Sequence, residues 1–258
     1  FVMVTGHVDS WGLGALDNAS GNACAVELAR ILAPLASDMR RSVRFVLWSG
    51  HSHGRYAGST AWCDAHFEEL ERHCLLNVNS DCLGGRGATV MTESPAMAST
   101  RGLARTALRE AAGVTDWRGC RFSRSCDQSF WGAGVPSIFS QVSEQPPFEG
   151  AAADAFGKMF GSGRTGGFGA WWHTRTDTPD KLDPENLARD VRVFASVLAH
   201  ALFDERLPVD AAAEVLELRD ELKAWQEKAG DSLDLSEVLA RLDLLAEALK
   251  AAARSDEK

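Results

Sequence analysis

Short apolar runs rich in β-branched residues alternate along this chain with longer amphipathic stretches, and that alternation restricts the fold more than any other feature. Residues 1–5, 43–48, 74–78 and 135–140 read as strands, with a shorter one at 88–91. Between and after them, residues 17–38, 59–72, 98–112 and 184–203 read as helices. In the first of these helices Ser20 is placed to cap, and Ala23, Val26, Leu28, Ala29 and Leu32 form an apolar stripe. Strands that alternate with helices predict an α/β fold, a mostly parallel (mixed) sheet with helices on both faces. In such sheets ligands bind beyond the carboxyl ends of the strands. His7, His51, His53 and Asp81 all fall just after a predicted strand.

The 258 residues, 45% hydrophobic, suffice for one large α/β domain over 1–205 and an appendage over 206–258. The appendage changes composition to Ala, Leu, Glu and Lys and reads as two helices, 210–228 and 234–254, broken at Gly230-Asp231. Its apolar stripe, Val215, Leu218 and Leu222 followed by Leu235, Val238, Leu239, Leu242 and Leu245, needs a partner. Packing on the parent domain and a dimerisation hairpin that forms a homodimer both satisfy it.

A formal net charge of −9 argues against a nucleic-acid partner, because phosphate neutralisation needs a basic face. No apolar run reaches membrane-spanning length. The six cysteines include no Cys-x-x-Cys pair, which argues against a cysteine zinc cage and slightly favours a reducing, cytoplasmic setting. Cys120 and Cys126 are close enough in sequence to pair in an oxidising compartment. The opening Phe-Val-Met-Val lies inside a predicted strand, so an N-terminal part of the domain, and any targeting segment with it, is expected upstream. The glycine-rich stretch 157–169 lacks the Lys-Ser/Thr of a phosphate-binding loop and reads as a wall or lid.

His7, Asp9, Asp17, Asp81 and His173 carry the chemistry. Imidazole nitrogen and carboxylate oxygen suit zinc. Taken singly, each has a structural explanation: a core histidine, a helix cap, a turn residue. Taken together, at the ends of different elements, they describe a shared site. His66, His73 and His200 fall in predicted helices and read as structural.

The runs Gly6-His7-Val8-Asp9-Ser10 and Leu16-Asp17-Asn18-Ala19-Ser20-Gly21 resemble the opening motif of the cocatalytic zinc aminopeptidases. That family includes bacterial leucyl aminopeptidases, glutamate carboxypeptidase and the transferrin-receptor ectodomain. Asn79-Ser80-Asp81, Ser125-Cys126-Asp127-Gln128-Ser129-Phe130 with Ala133-Gly134-Val135-Pro136, and His173-Thr174 with Asp177-Thr178 resemble its later motifs, in order. The resemblance implies two zinc ions, with His7 and Asp81 on one, His173 on the second and Asp17 bridging. It places Asp9 behind His7, orienting the ring through its other nitrogen, and Asp177 in support of the His173 loop. The eight tryptophans read mainly as core, with Trp171 and Trp172, beside His173, also suited to line a substrate pocket; Asp127 and Gln128 read as wall residues or as supports behind the ligands rather than as ligands.

The chain departs from the family at Ser49-Gly50-His51-Ser52-His53-Gly54, where two adjacent glutamates are the rule. Aligned from Phe45, His51 and Ser52 fall on the pair; aligned back from Gly58-Ser59, Ser52 and His53 do. The reading adopted makes His53 the replacement metal ligand and His51 the replacement general base, since neutral imidazole can do either. The function implied is two-zinc hydrolysis of a peptide or small amide substrate. The alternatives are a catalytically inactive binding or assembly protein, and a single-zinc amide hydrolase or cyclase.

Overall fold

The computed structural model describes residues 1–122, 129–150, 154 and 165–255. Four strands form one wholly parallel sheet: β1 (Val2–His7), β2 (Val43–Trp48), β3 (Leu76–Asn79) and β4 (Ser137–Ile138), in the order β2-β1-β3-β4. Every residue of β1 is buried, as expected for a central strand covered on both faces. Because side chains alternate across a strand, Val2 and Val4 point into one core and Met3 into another.

The larger core packs β1 and β3 against α1 (Gly21–Leu32), α4 (Arg101–Ala112) and α5 (Pro184–Phe203) through Leu28, Leu108, Phe194 and Leu198. The smaller core, on the opposite face, joins Met3 and Trp48 to α2 (Ala57–Ala65), α3 (Phe67–His73) and the buried Phe130. Helices therefore cover both faces of the sheet. Two further helices, α6 (Ala211–Ala229) and α7 (Ser236–Ser255), complete the described chain. Among the described residues, no helix is long and apolar enough to cross a membrane.

Local signals account for several elements. Asp183 caps α5 by accepting from the amides of Glu185 (2.9 Å) and Asn186 (3.1 Å), with Pro184 at the first helical position. Asp210 caps α6 through the amide of Ala213. The N-terminal part of α6 docks beside α4, where the Glu214 carboxylate accepts from the amide and hydroxyl of Ser99 at 3.0 and 2.9 Å. Leu218, Trp225, Leu244 and Leu245 of the hairpin are exposed.

Other segments depart from sequence expectation. The stretch predicted as a helix from residue 17 becomes α-helical only at Gly21, because Asp17 and Asn18 take non-helical angles. The helix expected over 59–72 is two helices broken at His66 (φ −121°, ψ 19°). Residues 88–91 contribute one antiparallel bridge, Val90 to Glu144, instead of a strand. The strand expected over 135–140 shrinks to Ser137–Ile138, since Pro136 brings no amide proton and Phe139 turns to φ 60°.

Candidate metal centre

The carboxyl ends of β1 and β3 lie side by side, so His7, the last residue of β1, and Asp81, just after β3, meet. His7 Nε2 is 3.5 Å from Asp81 Oδ2 and 3.0 Å from Asp17 Oδ1. The other oxygen of Asp17 lies 3.0 Å from His173 Nε2. One carboxylate thus divides its two oxygens between two imidazoles that are far apart in sequence.

The Asp17 turn is held from a distance. Asp177 accepts from the amides of Leu16 at 2.7 Å and Asp17 at 3.0 Å. Asn18 donates to the Ser80 carbonyl (3.0 Å) and accepts from the amides of Gly21 (3.1 Å) and Cys82 (3.3 Å), tying the turn to the loop after β3. Gly21 has an ordinary helical φ but no room for a side chain: a Cβ there would lie 2.3 Å from both Asn18 Oδ1 and the Ser80 carbonyl oxygen.

His7 Nδ1 donates to the backbone oxygen of Asp9 at 2.8 Å, which fixes the ring and turns Nε2 toward the carboxylates. The Asp9 carboxylate is 3.7 Å from the same nitrogen. It accepts instead from the amides of His51 (3.2 Å) and Ser52 (2.8 Å), pinning the loop after β2. Burial works against its ionised form, but those two amides outweigh it and hold its pKa below the ordinary value.

The His51 ring stacks on His7 with centroids 4.1 Å apart and planes within 3°. Ligand atoms of His7, His51 and Asp81 all lie within 4.8 Å of one another. His53 points elsewhere: its Nε2 is 3.0 Å from the Ser10 carbonyl, and its ring lies beside Trp11. His173 adopts φ 61° and stacks on Trp172 with centroids 3.6 Å apart. Asp127 and Gln128 lie outside the described residues. Sequence reasoning passed over Cys82, although its place next to Asp81 was a usable signal; its ligand atom lies within 4.8 Å of those of Asp17 and Asp81.

The charges favour a cation. Burial alone would lower the pKa of His7, yet the carboxylates of Asp81 and Asp17 overcome it and push it up to about 11. Asp17, despite its own burial, is held far below the usual carboxylate range by His173 and His7. Burial, then Asp81 and Asp17, push the Cys82 thiol up. His7 Nε2 and Asp81 Oδ1 are buried without a hydrogen-bond partner. Bonds of ~2.0 Å in a tetrahedral zinc site put ligand atoms ~3.3 Å apart. The observed separations of 3.0, 3.5 and 3.0 Å bracket that value, so the residues fit such an ion.

A parallel sheet with imidazoles and carboxylates converging beyond its strand ends defines an α/β domain with a candidate metal site. Residues 1–198 match Peptidase family M28, and the chain belongs to that family. It is 33% identical over 85 residues to a probable glutamate carboxypeptidase from Zea mays, covering 32% of this chain and 12% of that one. Among solved structures, an aminopeptidase from Aneurinibacillus sp. strain AM-1 superposes with a TM-score of 0.59 at 22% identity, over 80% of this chain and 45% of the other. A glutaminyl cyclase from Tannerella forsythia superposes with a TM-score of 0.52 at 18% identity, over 80% and 74%. The chain thus spans less than half of that aminopeptidase and a small part of the carboxypeptidase.

Proposed function

We propose that this chain carries the metal centre of a hydrolase acting on peptide or small amide bonds. The observation that supports the reading best is the divided carboxylate of Asp17, with His7 and Asp81 on one side and His173 on the other. His7, Asp17 and Asp81 would hold one zinc ion, and Asp17 and His173 a second. When bound, such ions polarise a carbonyl and lower the pKa of water.

The surrounding residues have distinct tasks. The Asp9 backbone and carboxylate orient His7 and the His51-Ser52 loop. His51, whose ring stacks on His7, would accept a proton from water at the site and pass it to the leaving amine. His53 would hold the second ion on giving up its contact with the Ser10 carbonyl. Trp11 and Trp172, beside His173, form an aromatic rim for the substrate.

A second reading, cyclisation or hydrolysis of an amide at a single zinc, draws on the missing glutamate pair and on the fuller overlap with the glutaminyl cyclase. Metal analysis separates the two, with two ions per chain expected for the first and one for the second. His53→Ala is expected to lose one ion. His51→Ala is expected to keep both and lose turnover on aminoacyl amides. Full occupancy with no turnover on amides or N-terminal glutamine peptides would refute both and favour a binding role. A concentration-dependent dimer abolished by Leu245→Glu would establish the homodimer expected from the stripe of the α6–α7 hairpin.

A further inference from the structure

Cys24 belongs to the larger apolar core, and Cys63 and Cys74 to the smaller one. Cys82 is equally buried, at 5% exposure, but belongs to neither. It faces charge instead. Its sulfur and one carboxylate oxygen each from Asp17 and Asp81 lie within 4.8 Å of one another. The same two carboxylates flank His7 Nε2. One buried carboxylate oxygen of this group, Asp81 Oδ1, has no hydrogen-bond partner and calls for a ligand at this point. The amide of Cys82 donates to Asn18 Oδ1, and its backbone sits at φ 52°, fixing the residue against the Asp17 turn.

We propose that Cys82 supplies a sulfur ligand to a cation held between Asp17 and Asp81, adding sulfur to the carboxylate oxygens of the centre. This rests on the metal-centre reading above. Binding exchanges the thiol proton for the metal, and the proton leaves to solvent. The thiolate also returns a negative charge that the chain lacks between Ser49 and Gly54, where no carboxylate stands. A soft sulfur donor favours zinc or cobalt over magnesium and manganese.

X-ray absorption of the zinc-loaded chain tests the assignment, with cobalt loading as a second readout. A zinc–sulfur shell at ~2.3 Å and a near-ultraviolet sulfur-to-cobalt charge-transfer band are expected. Both should vanish in Cys82→Ser and Cys82→Ala and persist in Cys120→Ser. Loss of the sulfur should raise the zinc Kd beyond the ~10- to 100-fold typical of losing an outer-shell partner. Melting of the metal-free variants checks that they fold; should both fail, the wild-type spectrum decides alone. Metal uptake with a shell of only nitrogen and oxygen would overturn the sulfur ligand and leave the proposed function standing. No metal uptake by the wild type would overturn both.

Discussion

Asp177 is the residue on which the site geometry most depends without itself facing the metal position, and Asp177→Asn tests that dependence. Its carboxylate is 2% exposed and accepts two backbone amides, from Leu16 at 2.7 Å and Asp17 at 3.0 Å. An amide side chain has one oxygen, so its NH2 must face one of those N–H groups. One charge-assisted bond is lost, ~2 kcal/mol, and the other becomes neutral, ~1 kcal/mol. The expected loss of stability is about 3 kcal/mol in metal-free protein. With a urea m-value of ~2.5 kcal/mol/M, the midpoint should fall by ~1 M. The Asp17 turn should loosen as well, weakening zinc binding ~10- to 100-fold, the range for outer-shell partners. Urea titration followed by tryptophan fluorescence, in chelator and then with zinc, reads both effects. Asp180→Asn, at an exposed carboxylate nearby, serves as the control with no midpoint change. A shift below ~0.3 M for Asp177→Asn, less than a single neutral hydrogen bond is worth, would refute the view that Asp177 fixes the turn.

Gly21→Ala should abolish zinc binding, because its Cβ meets Asn18 and the Ser80 carbonyl oxygen at 2.3 Å. Gly102→Ala, in α4 with nothing within 4 Å, should instead raise stability by ~0.5–1 kcal/mol; both are read by calorimetry and zinc titration. The pKa of His200 is raised, chiefly by Asp204 (2.7 Å) against the cost of burial, with help from Glu110 (3.0 Å). This contribution is fully present below the unfolded histidine pKa of ~6.5 and is lost as pH rises through the folded value. The stability gap between wild type and His200→Gln, from urea midpoints, should therefore be wider at pH 6 than at pH 9 (both values chosen about the reference pKa); an equal gap would refute the assignment. Zinc at ~100 times its Kd should stabilise the wild type by ~2.7 kcal/mol, and a melting temperature unmoved by zinc would argue against a folded-state site.

The elements that the sequence reveals are those whose causes are local. Helix α5 runs over the predicted 184–203 because its cap, its proline and its apolar stripe are all within the segment. Strands β1 and β2 stand out as short runs dominated by apolar, β-branched residues, β1 being buried along its whole length between its two neighbours. Local signals fail where a distant group intervenes. Residues 15–20 have the composition of a helix start, yet Asp177, more than 150 residues away, and the Ser80 carbonyl pull the backbone into a kink. The His51-Ser52-His53 segment likewise does not disclose which ring turns inward. The Asp9 carboxylate, the positive φ of Gly50 and Tyr56, and the stacking of His51 on His7 arrange that loop.

Residue order alone determined the α/β layering, the chemical types of the donors and their positions at strand ends, since patterning and motif spacing are properties of the chain. Which donors converge was decided in three dimensions. The parallel pairing of β1 with β3 places His7 beside Asp81, and the clamp from Asp177 turns Asp17 so that each oxygen meets a different imidazole. Metal sites form or fail over tenths of an ångström, and separations that fine are set by hydrogen bonds and packing between residues remote in sequence.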